Sequence, residues 1–138
     1  MAMNCRQMLP LVAALLAVST GAARADVLQQ LQGAWAIEDS DCSNVFTQDG
    51  SKTVVRKRDD DSLPGFVVDG RSVRGAAASC DIASVKEKSD GVSLLLSCRS
   101  QISFDTMNIS LKMPDNDTLV RYDNDFPAIT TRFHRCKG

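Results

Sequence analysis

Alternation of apolar and polar positions is the dominant pattern in this chain, and it predicts β-strands. In the run VSLLLSCR, residues 92–99, the even positions carry apolar side chains or cysteine, whereas most odd positions are polar. Such period-two alternation is typical of a strand with one buried face. Helical spacing is confined to residues 26–31. The positions predicted to share a buried face in two successive strands are Ala76, Ala78, Cys80 and Ile82, followed by Val92, Leu94, Leu96 and Cys98.

Turn signals separate the strand-like runs. Asp-Gly pairs stand at 49–50, 69–70 and 90–91, and PDND occupies 114–117. Asp-Gly favours a tight hairpin because glycine readily adopts the positive φ of a primed turn. We therefore predict an all-β fold: a small antiparallel meander that closes into a barrel, preceded by a short N-terminal helical turn. Closure would also hide strand edges that otherwise promote aggregation.

The alternation changes phase after residue 101. Ile102 and Phe104 fall on even positions, but the next apolar residues, from Met107 to Met113, fall on odd ones. A β-bulge adds one residue to a strand and so reconciles two such phases. The pattern predicts a bulge near residues 105–106.

The N-terminal segment, residues 1–25, has the features of an export signal. Arg6 precedes an apolar core at residues 9–18, and Ala-Arg-Ala at 23–25 matches a small-x-small cleavage site. The apolar run is shorter than the roughly 20 residues of a membrane-spanning helix, and Cys5 precedes it, so no membrane anchor is expected. We predict an exported protein, periplasmic or extracellular, with one disulfide-stabilised β-barrel domain at residues 26–138.

Charge excludes one class of partner. The chain has 16 basic and 17 acidic residues and a net charge of −1. Removal of the signal would lower the net charge to about −3. Because both signs are scattered along the chain, a nucleic-acid-binding face is not expected.

Four cysteines remain after the signal is removed, an even number in a chain predicted to be exported, which indicates two disulfides. A hairpin centred near Ser89 places Cys80 opposite Cys98 with both side chains on the apolar face. Elimination then pairs Cys42 with Cys136, which ties the first strand to the last. A zinc site is the alternative, but the chain has no C-x-x-C spacing and one histidine, His134.

Motifs for catalysis are missing from the sequence. A Ser-His-Asp arrangement would have to use His134, which adjoins a predicted disulfide cysteine, and no serine stands in G-x-S-x-G. The acidic runs at 56–61 and 122–127 lack the spacing of a calcium loop and are predicted to be solvated loops. We expect no enzyme, no cofactor and no metal.

The order of elements resembles the calycin pattern of lipocalin-like barrels. A helical turn is followed by Gly33-x-Trp35 at the first strand, then by hairpins and a basic last strand, TTRFHRC. In calycins the tryptophan closes one end of the barrel and a late arginine packs over it. The resemblance implies this structural role for Gly33 and Trp35, together with Arg132 or Arg135. A core tryptophan that merely follows a turn glycine would give the same tripeptide.

Two more specific resemblances concern function. The segments GAW, VVDGRSVRGAAASC, LLLSC and FHRC are similar to those of small exported proteobacterial proteins with four cysteines and no established activity. The chain also resembles Inh-type periplasmic inhibitors of metalloproteases, small barrels with Gly-x-Trp. Their N-terminal segment enters the protease cleft, which would give a partner-binding role to Asp26, Val27 and Leu28. Those inhibitors carry one disulfide, and this chain has cysteines for two.

Function is expected to be binding. The first hypothesis is an exported, monomeric, non-enzymatic binding or envelope-associated protein of unknown ligand. The alternatives are an Inh-like protease inhibitor, whose partner is a protein, and a lipocalin-like carrier of a small apolar ligand. Because the chain is short for eight long strands, we expect a mostly filled barrel. Its predicted core consists of Trp35, Phe66, Leu94, Leu96, Phe104 and Ile109.

Overall fold

The computed structural model describes residues 22–60 and 62–137, with side chains from residue 26 onward. Most of the predicted leader lies outside these residues. The described chain is mostly β-structure, and its first helix begins before the predicted cleavage site. In chain order the elements are α1 (Ala22–Leu31), β1 (Gly33–Ile37), α2 (Cys42–Val45), β2 (Phe46–Asp49), β3 (Lys52–Val55), β4 (Gly65–Asp69), β5 (Ser72–Arg74), β6 (Ser79–Lys88), β7 (Gly91–Arg99), β8 (Phe104–Asp115), β9 (Thr118–Tyr122) and β10 (Thr130–Cys136).

Eight antiparallel strands close into a barrel in the order β1-β10-β9-β8-β7-β6-β5-β4. The predicted fold class is therefore confirmed. All four predicted turns join consecutive strands. Because strands of a meander alternate in direction, the turns after β4, β6 and β8 lie at the same end as α1. The longer connections at residues 38–64, 75–78, 100–103 and 123–129 lie at the opposite end, which we call the mouth.

One predicted hairpin lies outside the barrel wall. β2 and β3 form a separate two-stranded sheet. This hairpin and α2 cover the outer face of β1 and β4, where small side chains leave room for them. The buried residues of this second, outer cluster are Ala34, Ala36, Val45, Phe46, Val55 and Val67.

The close approach of the hairpin explains why position 65 is glycine. A Cβ on Gly65 would lie 2.5 Å from the carbonyl oxygen of Trp35 and 2.8 Å from Cγ1 of Val45. Real Cβ atoms do not come so close to backbone atoms, so any other residue must displace β1 or α2.

Replacing Gly65 by alanine is accordingly expected to lower the free energy of unfolding by about 1 to 3 kcal/mol, as overpacking of a core does. Urea unfolding followed by circular dichroism measures this change. Gly75→Ala is the matched control, because the nearest atoms to a Cβ there are at 3.6 and 3.7 Å, an ordinary contact distance. Equal stability of the two variants would contradict the steric explanation.

The hairpin of β6 and β7 has the predicted cysteine pairing, but its strand register near the turn differs from the predicted one. Lys88 pairs with Gly91 beside the turn, and the register then shifts between Ile82 and Ser84. This irregularity brings Cys80 directly opposite Cys98. The pairing depends on a bulge in β6 that the alternation pattern did not reveal.

The bulge predicted near residues 105–106 is wrong. β7 and β8 pair without interruption from Val92 opposite Leu111 to Arg99 opposite Phe104. The change of phase has another cause: Ile102 lies in the mouth connection before β8, and neither Ile102 nor Phe104 is a core residue, since their exposed fractions are 96% and 83%. Phe104 was therefore also wrongly predicted as a core residue.

Candidate functional site

One end of the barrel is closed by Trp35. Its indole is fully buried, and Nε1 donates a hydrogen bond of 2.9 Å to the carbonyl of Leu31, the last residue of α1. The guanidinium of Arg135 lies 4.2 Å from the ring centroid, a cation–π contact. The sheet register accounts for this contact, because Trp35 and Arg135 are directly opposite each other on β1 and β10.

Arg135 also joins three parts of the chain through hydrogen bonds to backbone carbonyls. Nη2 donates to Gln30 at 2.7 Å, Nη1 donates to Gln32, and Nε donates to Asn116 at 2.8 Å. Gly33 has φ +112°, and a Cβ there would lie 3.2 Å from Nη1 of Arg135. Glycine therefore suits both the backbone conformation and the space that the guanidinium occupies.

The calycin resemblance implied that either Arg132 or Arg135 packs over Trp35, and the structure places these two arginines differently. Arg132 faces outward from β10 and forms an exposed ion pair with Glu38, with Nε and Oε1 3.2 Å apart. Arg135 is the residue that packs over Trp35. The floor of the barrel thus consists of Trp35, Leu31 and Arg135.

Above this floor the barrel contains a cavity of about 830 Å³. Its lining is mainly apolar and comes from the inward faces of the strands, with Cys80 and Cys98 in the wall. The principal apolar side chains that line it are Leu31, Phe66, Val68, Val73, Ile82, Leu94, Leu96, Ile109, Leu111 and Phe133.

The prediction of a mostly filled barrel is wrong. An eight-stranded barrel is wide enough to hold one small ligand unless large side chains fill it. Here most inward positions carry valine, leucine or isoleucine. Phe66 and Phe133 pack edge to face against each other, with ring centroids 5.1 Å apart. Of the other predicted core residues, Trp35, Leu94 and Leu96 are buried, whereas Phe66 and Ile109 are half-buried because they border the cavity.

The mouth of the cavity is apolar at its rim. In residues 22–60 and 62–137, the large apolar side chains with substantial exposure all lie on the mouth connections or on the part of β8 that borders the cavity. Leu63, Ile102 and Met107 line the cavity as well, so its apolar surface continues to the outside. These exposed residues are Leu63, Ile102, Phe104, Met107, Phe126 and Ile129.

Charged side chains also border the mouth, and several are paired. Arg58 lies 3.5 Å from Asp60, and Arg99 lies 3.2 Å from Asp81. Hydrogen bonds from the side chain and backbone N–H of Ser62 lower the pKa of Asp60, and Arg58 lowers it further. The Asp60 carboxylate is therefore ionised and engaged by its own loop.

Arg121 is the charged residue of the barrel wall that sequence reasoning missed. Leu119 and Arg121 share one face of β9, opposite Phe133 on β10 and Leu111 on β8. Arg121 lines the cavity and is also exposed to solvent. The period-two pattern of TLVRY would have placed Arg121 on the same face as Leu119, since alternate residues share a face.

Both predicted disulfides are present. Cys80–Cys98 joins β6 to β7 with 4.0 Å between Cα atoms, and it lies in the cavity wall. Cys42–Cys136 joins α2 to β10 on the outer face, with 5.8 Å between Cα atoms. Two disulfides indicate an oxidising compartment.

His134 lies beside the outer disulfide. Its Nε2 is 3.5 Å from Sγ of Cys42, and the ligand atoms of Cys42, His134 and Cys136 lie within 4.8 Å of one another. The two sulfurs are bonded to each other, so neither is a thiolate available as a nucleophile or metal ligand. This cluster is the closest approach to a metal-binding set among the described residues.

The N-terminal residues assigned to partner binding lie on α1. Val27 and Leu28 are half-buried and pack against the barrel core, while Asp26 is exposed. Gln32, just after the helix, exchanges hydrogen bonds with the backbone of Gly70 in the β4–β5 turn. This segment therefore caps the barrel, and its role in binding a protease remains a prediction.

Comparison of the chain with protein-family models, curated proteins and solved structures finds no match. None of the helices in residues 22–60 and 62–137 has the length and hydropathy of a membrane-spanning helix.

Proposed function

We propose that this protein is an exported, non-enzymatic binding protein that holds a small apolar ligand in its barrel, as lipocalin-like carriers do. The observation that carries the proposal is the apolar cavity of about 830 Å³, closed at one end by Trp35 and open at the other. Ligand sites in proteins are typically concave, mainly apolar and about 300 to 1,000 Å³ in volume. The leader-like N-terminus and the two disulfides support export.

The position of the apolar rim is consistent with this function. Monomeric proteins seldom expose several large apolar side chains in one region unless the region has a role in binding. At this mouth, Leu63 and Ile102 are exposed and also line the cavity. An apolar ligand could therefore move from the outside to the interior without leaving an apolar surface.

Ile109→Trp is expected to weaken ligand binding at least about tenfold, equivalent to 1.4 kcal/mol, because the indole would occupy the cavity. The probe is N-phenyl-1-naphthylamine, a neutral apolar dye whose fluorescence rises when it leaves water. Asn108→Trp is the matched control, since residue 108 is the adjacent, exposed position on the opposite face of β8.

Circular dichroism would establish that both variants keep the wild-type fold. A wild-type protein that does not raise the fluorescence of the dye would contradict the proposed function. So would equal loss of binding in the two variants, because it would place the dye outside the cavity.

A further inference from the structure

Arg121 lies on the inner wall of the cavity near the end of β9. It is opposite Leu111 on β8 and Thr131 on β10. Leu111 is buried and lines the cavity, which sets the inward face of this part of the wall. Thr131 is four residues before Arg135, so Arg121 is about 13 Å along the strands from the barrel floor.

No carboxylate neutralises Arg121 within the described chain: no ion pair or side-chain hydrogen bond joins it to residues 22–60 or 62–137. Asp105, an acidic residue of the same lining, is six positions along β8 from Leu111, a separation of about 20 Å. Asp60, the other acid of the lining, is engaged by Arg58 and Ser62. Among the described residues, the guanidinium of Arg121 therefore has no acidic partner and is placed to bind an anion.

We infer that the ligand is an amphiphile with an apolar chain and a single carboxylate, and that Arg121 binds this carboxylate. The inference rests on the proposed function and names the ligand class of the same cavity. A planar guanidinium binds carboxylates through two parallel hydrogen bonds, which fixes orientation as well as charge. Lys57, another cation of the lining, adds positive charge at the mouth. A ligand chain that extends from Arg121 towards the floor passes Phe133, which lies between Thr131 and Arg135 on β10 and lines the cavity.

The test compares two ligands of equal chain length, dodecanoate and 1-dodecanol, as competitors that displace N-phenyl-1-naphthylamine. Arg121→Gln is expected to weaken the binding of dodecanoate about tenfold, a change of 1.4 kcal/mol, and to leave the affinity for dodecanol unchanged. Arg132→Gln is the matched control, because Arg132 lies on the neighbouring strand, faces outward and pairs with Glu38. Both competitors are kept below the concentrations at which they form aggregates.

The outcomes separate this inference from the function on which it rests. If the wild-type protein binds neither the dye nor dodecanol, the proposed function fails and the inference fails with it. If both bind and Arg121→Gln leaves dodecanoate affinity unchanged, the cavity binds apolar ligands but Arg121 does not recognise the head group. If Arg121→Gln weakened the binding of dodecanoate and dodecanol equally, the inference would also be overturned, since the substitution would have changed the shape of the cavity.

Discussion

Arg135→Ala is expected to lower the free energy of unfolding by about 4 kcal/mol, a large share of the stability of a domain of this size. The side chain donates to the carbonyls of Gln30, Gln32 and Asn116 and stacks on Trp35. A hydrogen bond to a charged group contributes about 1.5 to 3 kcal/mol, and a cation–π contact about 0.5 to 2. These contributions are not additive, so the expected total is less than their sum.

Urea unfolding of Arg135→Ala and Arg132→Ala measures the difference between the two arginines of the last strand. Arg132 forms one exposed ion pair, which is worth at most about 1 kcal/mol. Arg135→Lys is a second informative variant, because it keeps the charge but loses the planar group that reaches three carbonyls. Similar stabilities of the two alanine variants would show that the floor of the barrel does not depend on this residue.

The structure also explains why the sequence alone could not decide whether Arg132 or Arg135 packs over Trp35. Arg132 and Arg135 lie on opposite faces of a strand, but neither the last nor the first strand shows its facing through a clear apolar alternation. Ala34 and Ala36, the neighbours of Trp35, are themselves buried, beneath the β2–β3 hairpin. Both faces of β1 are thus covered, and this tertiary packing is not apparent from a local pattern.

Local signals predicted the hairpins and the disulfides well for a physical reason. Turn chemistry and strand alternation act over a few residues and so placed both cysteines on the apolar face of one hairpin. The exact pairing of Cys80 with Cys98 depends in addition on the register shift between Ile82 and Ser84, which no local pattern indicated. The same reasoning failed at Ile102 and Phe104, because it assumed that large apolar side chains are buried. Exposed apolar residues at a binding surface break that assumption.

The cavity could not be predicted because it depends on how eight strands close. Alternation indicates which side chains face inward, but the space left between them depends on the width and tilt of the barrel. Arg121 was predictable in part, since its face follows from Leu119. That no acidic residue of the described chain pairs with Arg121 depends on the three-dimensional arrangement and could not be read from the sequence.

Replacing Cys42 and Cys136 together by alanine is expected to lower the free energy of unfolding by about 4.7 kcal/mol. The corresponding double replacement of Cys80 and Cys98 is expected to cost about 3 kcal/mol. The sequence separations are 94 and 18 residues, and opening the longer loop gives the unfolded chain more conformational freedom. The loss of the Cys42–Cys136 disulfide has a further structural cost, because Cys42 begins α2 and so holds the β2–β3 hairpin near β10.

Urea unfolding of both variants beside the disulfide-intact wild type measures this order, and peptide mapping of the non-reduced wild type establishes the pairing in solution. The midpoint and the slope of each transition must be compared separately, because loss of a cross-link expands the unfolded state and raises the slope. A fragment that joins Cys42 to Cys80 or Cys98 would contradict the barrel register itself. A greater loss of stability in the variant without Cys80 and Cys98 would show instead that the contacts of Cys98, buried in the cavity wall, outweigh the difference in loop length.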